Sequence, residues 1–265
     1  MVRHGAVRQV MRGKTWLSTA KEMAEVPARP QVKKDKGDYS MAVKAQKIDI
    51  RPMNINTIDF TIVGTTPLIV HAWDDKAKQE MLDKQRGKKV DAKHKVKIPY
   101  NDYKNSLYWL TEMPEDGKTD EEAEENTETA IANGAKFGFK CDGIKASIIS
   151  GAKRGGLSVV MTELKGSMFI EGATEGSTID LAEIIGTPHI REDMVRVGGM
   201  SKTADIRYRA EFTEWKIPLR LRYIEDGKYS LEQIMNMVDY GGFCTGIGEW
   251  RPEKGGQFGM YRLER

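Results

Sequence analysis

At 265 residues, 39% hydrophobic and 31% charged, the chain can form one large domain or two small ones around a substantial core. No apolar run reaches the roughly 18 residues of a membrane span, and the basic start MVRHGAVRQVMRGKTW lacks a signal peptide's apolar centre, so a cytoplasmic, non-membrane protein is expected. Cys141 and Cys244, the only two cysteines, lack metal-ligand spacing and exclude a disulfide framework.

The net charge of +3 says little about partners, but its distribution says more. Residues 1–51 and 76–97 carry Lys/Arg excesses, whereas 112–128 are strongly acidic. Basic faces on a nearly neutral chain point to a polyanionic partner, and the acidic block reads as a solvated insertion. Residues 1–56 form a basic N-terminal arm, with Pro27, Pro30 and Pro52, the cluster KKDKGD from Lys33 and no steady apolar period. Such an arm has little core of its own and is ordered by lying on a neighbouring subunit or on nucleic acid. The triplet Gly13–Thr15 is not a phosphate-binding loop, because the glycine required five positions earlier is Arg8.

A domain is expected over 57–265, interrupted by an insertion at 74–136. TIDFTIV, 57–63, alternates as a strand with Ile58, Phe60 and Ile62 on one face. Gly64 and Pro67 make a turn into a second apolar run, where the lone His71 reads as structural. The lysine-dense stretch from Asp74 starts as a helix and is either solvated or phosphate-facing. Residues 100–112 read as a helix with Tyr103, Leu107 and Leu110 at helical spacing. Asp142 offers an N-cap to GIKASIISGAKR, whose Ile144, Ile148 and Ala152 form a stripe; Lys145, Lys153 and Arg154 project from its ends, and Gly155–Gly156 stop it. LSVVMTELKGSMFIEG reads as two strands. Residues 174–210 form an excursion too long to lack function, best satisfied by a projecting hairpin carrying Arg191, Arg196, Lys202, Arg207 and Arg209.

KIPLRLRY, 216–223, is the most legible strand: Ile217, Leu219, Leu221 and Tyr223 face a core, and Lys216, Pro218, Arg220 and Arg222 face away. Ser230 with Gln233 forms a capping box opening a helix whose stripe is Leu231, Ile234, Met235 and Val238. A glycine-rich stretch, 241–259, then surrounds Trp250, Arg251 and Lys254 before a final strand. It is either a long connecting turn or a loop whose backbone approaches a ligand.

Without its insertions the order is βαββαβ, an α+β, ferredoxin-like (RRM-like) arrangement in which two helices cover one face of an antiparallel sheet and leave the other open. At this level the residues resemble the RAMP-type backbone subunits of CRISPR effector complexes. DGIKASIISGAKR from Asp142 resembles their first-helix motif. DMVRVGGMSKTADIRYRAEFTEWKIPLRLRY from Asp193 resembles their thumb returning into a strand, and GGFCTGIGEWRPEKGGQFGMY from Gly241 resembles their glycine-rich loop. The inserted WRPEK, the basic arm and the acidic block depart from that pattern. The sequence also resembles a group of proteins encoded by tailed bacteriophages.

No catalytic, metal or cofactor constellation stands out; the four histidines are scattered. Asp193 and Asp205, among arginines, read as ion-pair partners, although relatives in type III CRISPR complexes cut RNA with a loop aspartate. Single-strand binders combine a cationic groove with aromatics on which bases stack. The chain supplies Lys145, Lys153 and Arg154 on the first helix, and Arg196, Lys202, Arg207 and Arg209 on the excursion. Arg220 and Arg222 lie on the open sheet face, and Gly246 and Gly248 let peptide N–H groups near a phosphate beside Arg251 and Lys254. Trp250, Tyr208 and Phe212 are the stacking candidates. The expectation is a homo-oligomer, ring or filament, lining up along single-stranded nucleic acid, with DNA placed before RNA. The alternatives are a phage structural or interaction protein, a decoy of a CRISPR backbone subunit, and an RNase.

Overall fold

The computed structural model describes residues 52–73, 75–87, 97–197 and 203–265. The basic arm as far as residue 51, the lysine-dense run 88–96 and Lys202 lie outside the described residues. The elements in chain order are β1 (Ile55–Gly64), β2 (Leu68–Val70), α1 (Asp75–Gln85), α2 (Pro99–Asn105), β3 (Tyr108–Trp109), α3 (Asp120–Ala132), β4 (Phe137–Lys140) and α4 (Cys141–Arg154). There follow α5 (Met161–Ser167), β5 (Met168–Gly172), β6 (Leu181–Ile184), β7 (Pro188–Val197), β8 (Thr203–Phe212), β9 (Lys216–Ile224), α6 (Leu231–Cys244) and β10 (Tyr261–Leu263). The result is a mixed α+β fold with antiparallel sheets, ordered β10-β1-β9-β5, β2-β8-β7 and β3-β4-β6. Among the described residues no helix is long and apolar enough to cross a membrane.

The four-stranded sheet follows from the alternation of its two central strands. Register sets Ile58, Phe60 and Ile62 of β1 opposite Leu221, Leu219 and Ile217 of β9, making one apolar face. Ile144, Ile148 and Ala152 of α4 and Ile234, Met237 and Val238 of α6 are buried in the same core cluster. Along the chain the sheet and its two helices run β1, α4, β5, β9, α6, β10. The α6 capping box is complete, with the Gln233 N–H donating to Ser230 Oγ at 3.3 Å and the Ser230 N–H to Gln233 Oε1 at 3.0 Å.

Several expectations are corrected. The glycine-rich loop does not start at 241: Gly241 and Gly242 lie inside α6, because the helices cross too closely for side chains there. A methyl group on Gly151 of α4 would collide with the backbone of Gly241, and one on Gly242 with that of Tyr261. Residues 157–172 are not two strands. Helix formers Met161–Lys165 make α5, with Leu164 fully buried, and only β5 is a strand. The hairpin is real but spans Pro188 to Phe212 rather than 174–210. The earlier part of the excursion forms β6, whose buried Ala182 and Ile184 pair with β4.

The predicted helix 100–112 ends at Asn105, and β3 follows it. Lys140, not Asp142, occupies the cap position of α4; Asp142 sits in its first turn. The acidic block is more than a solvated insertion. Thr119 caps α3, Ala123 and Thr127 are buried, and the segment before it supplies Pro114 O and Asp116 to the Nζ of the buried Lys104 at 2.7 and 2.8 Å.

Candidate functional site

The face of the four-stranded sheet away from α4 and α6 is built in cross-strand rows. One row sets Glu171, Arg220 and Asp59 side by side; the next sets Phe169, Arg222 and Thr57. Asp59, Arg222 and Phe169 are exposed. Arg220 is not a free cation, because Nε and an amino group reach the two Asp59 oxygens at 2.7 and 2.9 Å. That fork holds the Asp59 carboxyl below its ordinary value, chiefly through the hydrogen bond.

The neighbouring row is different in kind. Phe169 is 52% exposed, with the Lys145 ammonium 4.2 Å from its ring centre and the Arg222 guanidinium carbon at 6.0 Å. Among the described residues neither cation has a carboxylate within ion-pair distance. Partial burial lowers the Lys145 pKa, against the opposing field of Asp142. The result is an aromatic surface with two cations beside it, at the sheet edge formed by β5. Sequence reasoning missed Phe169, although Met168 and Ile170 turn inward and so force Phe169 outward next to Arg222.

Of the two glycines expected to cradle a phosphate, Gly246 has its N–H committed to the protein itself, donating to Gly241 O at 2.9 Å. Neighbouring N–H groups are committed likewise: Ile247 to Gly259 O at 2.9 Å, Glu249 to Ile69 O at 2.9 Å and Gly259 to Pro67 O at 2.7 Å. The loop lies along β2, and a side chain on Gly248, at φ 76°, would strike Ile69 O. Arg251 and Arg154 converge there, but on a carboxylate. Arg251 donates to Glu253 Oε2 at 3.0 and 2.7 Å and to Gly248 O at 3.0 Å, and Arg154 reaches Glu253 Oε1 at 3.2 Å. The two guanidiniums hold the Glu253 carboxyl below its ordinary value. Trp250 remains 44% exposed, at φ 52°. Lys153 and Lys254 are exposed at either side of this corner.

On the hairpin, Arg196 is exposed, whereas Arg191, Arg207 and Arg209 are paired. Asp205 takes Lys97 at 2.5 Å and Arg207 at 3.7 Å; Asp193 takes Arg191 at 3.0 Å and Arg209 at 3.3 Å. Both aspartates are therefore ion-pair partners in this fold, and Lys97 holds Asp205 below its ordinary value. Tyr208 lies opposite Glu192 on the partner strand. Phe212 is wholly buried and cannot stack on a ligand. His71 is corrected too: it stands clear of the core, its side chain 42% exposed and its Nδ1 3.7 Å from Glu249.

Among the described residues the predicted cations meet at Phe169 (Lys145 with Arg222), at Glu253 (Arg154 with Arg251) and along β8 (Arg207 through Arg209). No family model and no curated protein matches the chain. Among solved structures, the crystal structure of Cmr6 from Pyrococcus furiosus overlies 80% of this chain and 100% of its own, at 10% identity and a TM-score of 0.31. Likeness that loose carries neither fold nor function across.

Proposed function

We propose that this protein binds single-stranded nucleic acid on the uncovered face of its four-stranded sheet, with copies lining up along the strand. The observation that carries the proposal is the exposed Phe169 ring beside Lys145 and Arg222. A base can stack on such a ring while ammonium and guanidinium groups meet the phosphates on either side, and stacking of this kind contributes about 1–3 kcal/mol per base. The strand order β10-β1-β9-β5, with α4 and α6 on one face, suits a ferredoxin-like, RRM-like sheet, a platform on which outward aromatics stack on bases. Arg196, Lys153 and Lys254 would extend the cationic track, and the β7–β8 hairpin would reach toward the next copy. DNA is placed before RNA.

The test is a titration of labelled 60-mers of DNA and RNA at several salt concentrations. Binding should weaken steeply, log K falling with a slope of about −0.7 per phosphate neutralised. Salt-independent binding, or none to either polymer, contradicts the proposal.

A second reading, a protein-interaction or structural subunit, is favoured by one observation: Phe243 and Tyr240 stand 71% and 38% exposed on α6. Rings or filaments that form identically with and without oligonucleotide would support that reading.

A further inference from the structure

A cleft of about 340 Å³ opens between the chain leaving β2, the end of α2 and the returning hairpin strand β8. Arg209 lines it while only 3% exposed. One of its amino groups reaches Asp193 at 3.3 Å, yet its Nε–H is buried with no acceptor among the described residues. A buried guanidinium N–H without an acceptor is costly, and a ligand oxygen would relieve it. Lys97 and Arg207, also in the lining, share the carboxylate of Asp205, and Asp102 brings a second carboxylate to the same lining. At the mouth stands Trp73, 58% exposed, with His71 and Asn105 beside it. Donors to an anion, a flat aromatic surface and amide and imidazole groups thus line one space, whose volume suits a small polar ligand.

We propose that this cleft binds one nucleotide, with Arg209, Arg207 and Lys97 directed at the phosphate and Trp73 stacked on the base. The proposal rests on the strand-binding reading and adds to it: the cleft holds a single nucleotide unit, separate from the Phe169 platform. Lys97 is the adjustable part. It also donates to Ile206 O at 2.6 Å, and its exposed ammonium can swing from Asp205 to a phosphate without disturbing the core.

The experiment is isothermal titration of the full chain with nucleoside 5′-monophosphates and, separately, with inorganic phosphate, run beside the 60-mer titration in the same buffer. Saturable nucleotide binding is expected, tighter than phosphate by about fivefold or more, the contribution of one stacked base. Trp73→Ala should remove that advantage, and Lys97→Ala should weaken nucleotide and phosphate alike. Arg209→Gln should abolish both; if that variant fails to fold, the two surface variants decide. Equal affinity for phosphate and nucleotide overturns the proposal, as does nucleotide binding indifferent to Trp73 and Lys97. Strand binding without nucleotide binding overturns the cleft and leaves the sheet face standing. Nucleotide binding without strand binding leaves the cleft standing and overturns the sheet face.

Discussion

Replacing Phe169 with alanine separates a binding platform from a packing residue. The ring is about half exposed, so its removal forfeits roughly half the transfer free energy of a buried phenylalanine, about 1 kcal/mol. Loss of the ring contacts to Lys145 and Arg222 adds about 0.5–1 kcal/mol. The sum lowers Tm by only a few degrees, at about 2–4 °C per kcal/mol for a domain of this size. A lost stacking surface costs about 1–3 kcal/mol in strand affinity, or roughly 5- to 150-fold. Phe169→Tyr should restore most of it. The assay is fluorescence anisotropy with a labelled 60-mer, paired with thermal unfolding to show that the fold survives. Affinity within about twofold of wild type, in a protein that melts normally, would refute the reasoning.

Other expectations follow from the same contacts. Asp59→Asn releases Arg220 from its fork and should tighten strand binding while steepening the salt slope by about 0.7; a weaker or unchanged slope counts against an active sheet face. Arg222→Glu should weaken binding more than Arg154→Glu, since Arg154 is already spent on Glu253, as parallel salt titrations would reveal. Gly151→Ala forces α4 and α6 apart and should cost about 1–3 kcal/mol in denaturant unfolding. Because Arg251 and Arg154 depress the Glu253 pKa in the folded state, its contribution to stability is present above its ordinary value of 4.5 and lost as pH falls below it. Glu253→Gln should therefore flatten the acid limb of a stability–pH curve, and an unaltered limb would show that the carboxylate contributes nothing.

Local pattern carried much of the fold. The alternation in 216–223, the Ser230–Gln233 box and the 144/148/152 stripe are each decided by neighbours within a few residues. What escaped was set across distance. Arg220 looked free because its partner, Asp59, lies 161 residues away and comes alongside only through the β1–β9 register. Gly241 and Gly242 looked like loop residues because their purpose is the approach of α4 and of Tyr261, neither visible along the chain. The stretch 157–172 misled because its apolar run suits a strand, whereas tertiary burial of Leu164 favours a helical turn. The candidate site was half legible: its cations stand out in the sequence, but carboxylates hold Arg154, Arg207, Arg209, Arg220 and Arg251, and the aromatic beside Lys145 and Arg222 does not stand out.

Photo-crosslinking of a 5-iodouracil-substituted single strand, with the modified peptides mapped by mass spectrometry, bears most directly on the central claim. The account predicts adducts on β5 at Phe169, with neighbours on β9 around Arg222. Adducts confined to α6 around Phe243, or their absence from β5 and β9 under conditions where the strand is bound, would contradict it.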